Sequence, residues 1–289
     1  MGGVLIVNPF ASGVGESRLA AVQAALPAGT ETVLTHGPGH ATALARDADG
    51  RIEAIYVFSG DGTYNEVLNA VAGETPVGFI PGGGTSVLPR ALGLPRDPVQ
   101  AATRLAAGTR RRIGLGRVNG RRFGFGAGIG LDAELVRRVD RMGRSADGRR
   151  PGDLAFAWAG VRLLAETRVH LEPALEVEGL GRAALALVGN CSPYSYAGAL
   201  ALDPMPRASF DDGLDLIAPE QLRPRDVPRF VRLLVRGRDD APGVIAAHDL
   251  DRLVVRCDHP LPLQVDGEDL GDVEMAVFEA ERDAIVVLV

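Results

Sequence analysis

The chain has 289 residues, and all 31 of its basic residues are arginine; lysine is absent. No P-loop lysine can therefore reach a nucleotide's phosphates, no strand lysine of a protein kinase can hold them, and no Schiff-base nucleophile exists. A net charge of −6 runs against the basic excess of general nucleic-acid binders, while 46% hydrophobic and 24% charged residues provide for an ordinary globular core.

The first hundred residues alternate strand and helix signals. Val4-Leu5-Ile6-Val7 is a short apolar strand ending at Asn8-Pro9, and a helical pattern follows from Ser17. Thr32 to Leu34 predicts a second strand and Ala41 to Ala48 a helix. Ile55-Tyr56-Val57-Phe58 predicts a third strand, stopped by Ser59-Gly60-Asp61-Gly62, with a helix from Tyr64 to Ala72. Val77 to Ile80 predicts a fourth, halted by Pro81-Gly82-Gly83-Gly84, with a helix through Leu92. Apolar strands alternating with helices imply a parallel sheet covered on both faces. Beyond Arg112 the runs shorten and alternate: Arg121 to Phe125, Leu175 to Glu178, Ala184 to Val188, Leu214 to Ile217, Leu253 to Arg256 and Ile285 to Val289. That texture predicts a second, β-rich domain with antiparallel pairing. The expected division is residues 1–112 and 113–289, with the last strand free to return to the first domain.

Cys191 and Cys257 stand far apart, with no CxxC pair. This spacing suits neither a zinc site nor a disulfide scaffold, so a reduced, cytoplasmic protein is expected. The N-terminus carries no basic segment ahead of its first apolar run, so no leader is expected. No run approaches the 18 apolar residues of a membrane span.

The glycine turns carry the functional signal. In open parallel sheets, ligands bind beyond the carboxyl ends of the strands, where these turns fall. Gly60 and Gly62 let a ligand approach the backbone. Thr63 and Glu66 have the spacing of a capping box, which places the helix start at Thr63. A helix start suits phosphate, and Asp61 beside phosphates calls for a cation, Mg²⁺, to intervene. A plain turn with Asp61 capping the backbone is the alternative. The turns Asn8 to Gly13 and Pro81 to Ser86 share this design, and the three together favour a nucleotide site.

Four motifs then resemble the diacylglycerol kinase catalytic-domain family, which is related to the sphingosine kinases and NAD kinases. They are Asn8-Pro9 with Ser12-Gly13; Gly60-Asp61-Gly62-Thr63 with Asn65-Glu66-Val67; Pro81-Gly82-Gly83 leading to Arg90-Ala91-Leu92; and Val265-Asp266-Gly267-Glu268. Asp211-Asp212-Gly213-Leu214 looks like a fifth. The resemblance implies an α/β fold: an N-terminal Rossmann-like parallel-sheet nucleotide domain plus a C-terminal β-sandwich domain. It also implies phosphorylation of a lipid hydroxyl, diacylglycerol foremost, with ATP and Mg²⁺.

By position, the resemblance implies nucleotide contacts at Asn8, Pro9, Phe10, Ala11, Ser12, Thr35, Gly60, Asp61, Gly62, Thr63, Asn65, Glu66, Gly83, Gly84 and Thr85. Glu268 looks like the proton acceptor, with Asp266 close by. Asp212 looks like a structural metal ligand, with the carbonyls of Ser209 and Leu214. The residue-level alternatives are a hairpin turn at Asp266-Gly267 and a tight turn at Asp212-Gly213. Three positions depart from the family pattern: Ser59 replaces a glycine, Val87 an asparagine and Gly114 an aspartate. An NAD kinase-like enzyme and an inactive nucleotide-binding regulator are therefore the competing functions.

The remaining features are read as ordinary structure. His36 and His40 flank Gly37-Pro38-Gly39 and form a turn near the nucleotide rather than a zinc site. Gly126-Ala127-Gly128-Ile129-Gly130 is a closely packed backbone rather than a second nucleotide loop. Arg225, Arg229, Arg232 and Arg236 share a helical face, and packing of the opposite apolar stripe on its own domain is favoured over a lipid surface. Arg137 to Arg150 is expected to be a solvated loop, and Phe156, Trp158 and Val161 to be core. The expected partners are a lipid alcohol and a transient membrane surface, with peripheral location there and no nucleic acid; a homodimer is left open.

Overall fold

The computed structural model describes residues 2–142, 162, 166, 170–237 and 242–289. Two compact units emerge, one formed by residues up to Gly114 with Asp283–Val289, the other by residues between Leu115 and Arg282. The first contains β1 (Val4–Val7), α1 (Glu16–Ala25), β2 (Glu31–Leu34), α2 (His40–Ala48), β3 (Ile55–Ser59), α3 (Asp61–Leu68), β4 (Val77–Pro81), α4 (Val87–Ala91) and α5 (Pro98–Ala106). Its strands run parallel in the order β4-β3-β1-β2. The registers Val7↔Leu34, Val7↔Phe58 and Ser59↔Pro81 bring the carboxyl ends of all four strands to one edge. Every residue of β3 and β4 is buried, as expected for strands covered on both faces.

The second unit opens within β5 (Arg110–Val118) and continues with β6 (Arg121–Phe123), β7 (Gly126–Ile129) and α6 (Leu131–Arg141). There follow β8 (Leu175–Val177), β9 (Gly181–Ala183), β10 (Ala186–Gly189), β11 (Ser195–Ala197), β12 (Leu200–Leu202) and β13 (Leu214–Pro219). The remaining elements are α7 (Val227–Arg236), β14 (Val244–Leu250), β15 (Arg252–Val265) and β16 (Glu268–Leu288). The order β14-β13-β10-β7-β15-β16 is antiparallel throughout. Period-2 alternation divides its two faces. Ala186, Val188, Leu214 and Leu216 enter one apolar cluster with Phe123, Val255 and Phe278. Leu187 and Ile217, pointing the other way, join Tyr194, Met205 and Leu233 of α7. Near its end, β16 delivers Val287 beside Val77 of β4, within the first unit.

Two expectations fail locally, and a third cannot be placed. Helix α3 starts at Asp61 and ends at Leu68, with Gly60 as its N-cap, so Thr63 is not the cap. The Thr63 hydroxyl instead accepts from Ser59 Oγ (2.7 Å) and Asn8 Nδ2 (3.3 Å), which draws it toward the strand ends. Arg137, Arg138 and Arg141 lie on α6 rather than in a loop, because Ala133, Val136 and Val139 give that segment a buried helical stripe. Phe156, Trp158 and Val161 lie outside the described residues.

Candidate active site

The nucleotide-binding expectation rests on three turns, and their backbones meet at the carboxyl edge of the first unit. Gly13 N–H donates to Gly82 O at 2.8 Å, and a Cβ on Gly13 would sit 2.8 Å from that same oxygen. A Cβ on Gly83 would lie 2.8 Å from Gly60 Cα, and one on Gly82 2.9 Å from Ser59 O. Glycine is required here because backbone packs on backbone. Gly84 differs: a Cβ there meets nothing within 4 Å, so this exposed residue leaves an opening.

Side chains brace the turns from beneath. Asn8 Oδ1 accepts Phe10 N–H at 3.0 Å, which folds Pro9, Phe10 and Ala11 over the end of β1. Phe10 is 53% exposed, and Ser12 is also exposed. Tyr64 is buried with its hydroxyl 2.6 Å from both Ser59 O and Ile80 O. Burial, then the Asp61 charge, raises its phenol well above the usual range, so it stays a neutral donor tying β3 to β4. Ser59 is fully buried and uses its hydroxyl on Thr63, a bond that a glycine at this position could not make. Thr35, also buried, continues the edge where its N–H meets Val7 O at 2.8 Å. Thr85 contributes a carbonyl facing Arg90 Nη1 at 3.5 Å.

Asp61 opens α3, and its Oδ1 accepts Leu88 N–H of α4 at 3.3 Å. Among the described residues, no three acidic, histidine or cysteine side chains gather as a metal cage. Mg²⁺ does not need one, since it keeps several waters and is held by one or two carboxylates with substrate phosphates. Asp61 supplies such a carboxylate at a helix start, so the residues fit. Glu66 Oε2 is buried without a hydrogen-bond partner, an acceptor left open in this same motif. Asn65 is fully buried, and its Oδ1 accepts Asn69 Nδ2 at 3.1 Å.

In the second unit, Asp266-Gly267 joins β15 to β16, with Val265 facing Glu268. Both turn residues have positive φ, 47° and 77°, as a two-residue hairpin of this hand requires. The Asp266 carboxylate is buried and accepts three backbone N–H groups: Gly124 (2.7 Å), Phe125 (3.0 Å) and Gly126 (3.2 Å). Those bonds fix the turn that carries Glu268. Glu268 is different. Its side chain keeps 34% exposure, and Oε2 meets Arg121 Nη2 at 3.2 Å.

At the other acidic turn, Ser209 O accepts Asp212 N–H at 3.1 Å, while Leu214 pairs with Leu250 across the sheet. Gly213 N–H donates to Asp249 Oδ1 at 2.7 Å, and Arg282 binds both Asp249 (2.7 Å) and Asp251 (2.8 Å). The guanidinium thus supplies positive charge beside the turn. Asp212, Ser209 and Leu214 thus bring one carboxylate and two carbonyls to a single tight turn.

Residues 3–118 match the family pattern of the diacylglycerol kinase catalytic domain. A diacylglycerol kinase of Bacillus subtilis is 31% identical over 83% of this chain and 79% of its own length. The chain belongs to the diacylglycerol kinase family. Lipid kinase is accordingly its enzyme class. A crystal structure of a diacylglycerol kinase from Bacillus anthracis shares the fold, with a TM-score of 0.73 at 20% identity across 99% of this chain and 96% of that one. An NAD kinase from Archaeoglobus fulgidus, solved in complex with ATP, follows at a TM-score of 0.51 and 12% identity, covering 99% of this chain and 93% of that one. Among the described residues of this family member, no helix is long and apolar enough to cross a membrane.

Sequence reasoning missed the side chains packed around the Glu268 turn. Asp132, Tyr194, Gln264 and Arg137 are scattered along the chain and form no motif. Their only trace in the sequence is the run Gly126-Ala127-Gly128, whose missing Cβ atoms make room for Tyr194 and Asp132.

Proposed function

We propose that this chain transfers the γ-phosphate of ATP to a lipid hydroxyl, with diacylglycerol as the leading acceptor. The observation that supports this most is the convergence of Gly13, Gly60, Gly82 and Gly83 at the strand ends, where backbone N–H groups and the start of α3 suit phosphate. Residues 1–112 take the nucleotide role and residues 113–289 the acceptor role. Asn8 to Ser12, Thr35, Gly60 to Thr63 and Gly83 to Thr85 frame the nucleotide, and Glu66 Oε2 is free to accept from a bound hydroxyl or water. Asp61 holds Mg²⁺, which when bound neutralises charge on the phosphates.

Glu268 accepts the proton of the acceptor hydroxyl. Its partner Arg121 meets one carboxylate oxygen at 3.2 Å, and 34% of the Glu268 side chain stays exposed to an incoming hydroxyl. Arg121 steers the carboxylate, and Asp266 holds the turn from which Glu268 projects. With no lysine in the chain, Arg90 is the cation carried by the third glycine motif.

The acceptor lies in a bilayer, so the enzyme meets a lipid surface. Helix α7 packs Leu233 inward, while Arg229, Arg232, Arg236 and the half-exposed Val231 face outward, a pattern suited to anionic headgroups. Charge reversal at Arg229 and Arg232 is expected to weaken co-sedimentation with phosphatidylglycerol-containing vesicles. Unchanged sedimentation would remove α7 from this role.

The deciding experiment is transfer of label from γ-labelled ATP to a panel of lipid alcohols in mixed micelles with Mg²⁺, with NAD as a soluble control. Labelled phospholipid is expected. Label in NADP alone would favour an NAD kinase. Val87, buried at the start of α4, and Gly114, buried in β5, favour a second reading, an inactive nucleotide-binding regulator. That reading gains if ATP binds and no acceptor is labelled.

A further inference from the structure

Helix α6 grips the Glu268 turn on both sides. On the N-terminal side, Gly267 N–H donates to Gln264 Oε1 at 2.9 Å. This sets the Gln264 amide, whose Nε2 donates to Asp132 Oδ2 (2.7 Å) and lies 2.9 Å from the Tyr194 hydroxyl. Tyr194 donates to the same Asp132 oxygen at 2.8 Å. On the C-terminal side, Asp269 receives a two-pronged grip from Arg137, Nε to Oδ2 at 2.8 Å and Nη2 to Oδ1 at 3.0 Å. Arg137 Nη1 also reaches Asp272 at 2.6 Å.

Asp132 and Arg137 both belong to α6, whose buried stripe of Ala133, Val136 and Val139 anchors it to the unit. Tyr194 and Gln264 are buried, and burial raises both the Asp132 carboxyl and, well above its usual range, the Tyr194 phenol. A buried polar cluster with its hydrogen bonds satisfied is rigid, because each misplaced donor would lose its partner without regaining water. The neighbouring strand is fitted to it. A Cβ on Gly128 would lie 2.2 Å from Asp132 Oδ2, and one on Gly126 2.6 Å from the Tyr194 ring. The sequence therefore leaves out two side chains where the cluster sits.

We infer that Asp132, Tyr194, Gln264 and Arg137 are positioning residues that fix the direction in which Glu268 presents its carboxylate, with α6 as the splint. The inference rests on the reading of Glu268 as proton acceptor. Asp132 and Tyr194 act through Gln264 and Gly267, Arg137 acts through Asp269, and none of them needs to touch substrate. A base displaced by a fraction of an ångström loses rate before it loses binding.

The test compares Tyr194→Phe, Arg137→Met, Arg137→Lys and Glu268→Gln in the full chain, by kcat and KM for ATP and lipid, thermal unfolding and ATP binding. Tyr194→Phe keeps the ring and removes the hydroxyl's two hydrogen bonds, to Asp132 and from Gln264; kcat is expected to fall about tenfold with KM for ATP unchanged. Arg137→Met is expected to lose about a hundredfold in kcat, and Arg137→Lys to recover part of it, a point charge replacing a fork. Unchanged kcat in Tyr194→Phe and Arg137→Met, with Glu268→Gln inactive, would overturn the positioning inference alone. Retained turnover in Glu268→Gln would overturn the proton-acceptor reading on which it rests. If kcat, ATP affinity and melting temperature fell together in both Tyr194→Phe and Arg137→Met, the cluster would be a fold element and the inference would fail.

Discussion

The glycine turns of the first unit and the β15–β16 turn of the second place the atoms of the proposed site by opposite means. At Gly13, Gly82 and Gly83 position comes from the backbone, with main chain pressed to main chain where a Cβ could not fit. Around Glu268 position comes from side chains: three N–H groups on Asp266, the Gln264–Asp132–Tyr194 cluster and the Arg137 fork. Binding phosphate needs many donors of similar strength, which main chain provides. Aiming a single carboxylate needs one direction fixed, and a rigid set of polar side chains does that.

The comparison can be broken first at Glu268. Glu268→Gln should lower turnover by about 10³-fold, while calorimetric titration with ATP gives an unchanged affinity. Full turnover in that variant would leave the second turn without its proposed task. Gly83→Ala attacks the first region, where the added Cβ meets Gly60 Cα. It should cost about 2 kcal/mol in chemical denaturation and weaken ATP binding. Gly15→Ala, with nothing within 4 Å of its Cβ, serves as the matched variant in which stability is kept.

Asp61→Asn probes the acidic side chain that opens α3. Mg²⁺-dependent ATP affinity should fall by about tenfold, and metal-free affinity should change less. Equal loss with and without Mg²⁺ would assign Asp61 to bracing Leu88 of α4. The smallest expected effect concerns Asp269, whose hydrogen bond from Arg137 holds its carboxyl below the ordinary carboxylate range. A depressed folded-state pKa contributes stability that is present above the unfolded value, about 3.9, and is lost as pH falls through the folded value. Melting temperatures of wild type and Asp269→Asn should therefore differ at neutral pH and converge under acid. A gap that persists at low pH would exclude the ionic contribution.

The same contrast explains what the sequence made readable. Backbone-to-backbone contact leaves glycine at fixed offsets from each strand, so the turns after β1, β3 and β4 are visible without coordinates. Strands β3 and β4 were equally plain as unbroken apolar runs. Side-chain clamps leave no such spacing. Asp132 and Gln264 meet only after the chain has crossed the sheet, and the three N–H groups on the Asp266 carboxylate are invisible in sequence. The start of α3 was misplaced for a related reason: Thr63 has the spacing of a cap, but Ser59 and Asn8 claim its hydroxyl.

Strand β16 links these regions in time as well as in sequence. It leaves the Glu268 turn and continues to Val287, which lies beside Val77 in the parallel sheet. The β4 side of that sheet cannot be covered until residues far later in the chain have been made. Such a contact has a high loop-closure cost and forms late. Until then the flank of β4 is an unpaired edge open to another chain. A newborn molecule would thus depend on the end of β16 to hide that edge, and shortening β16 would turn a folding delay into aggregation.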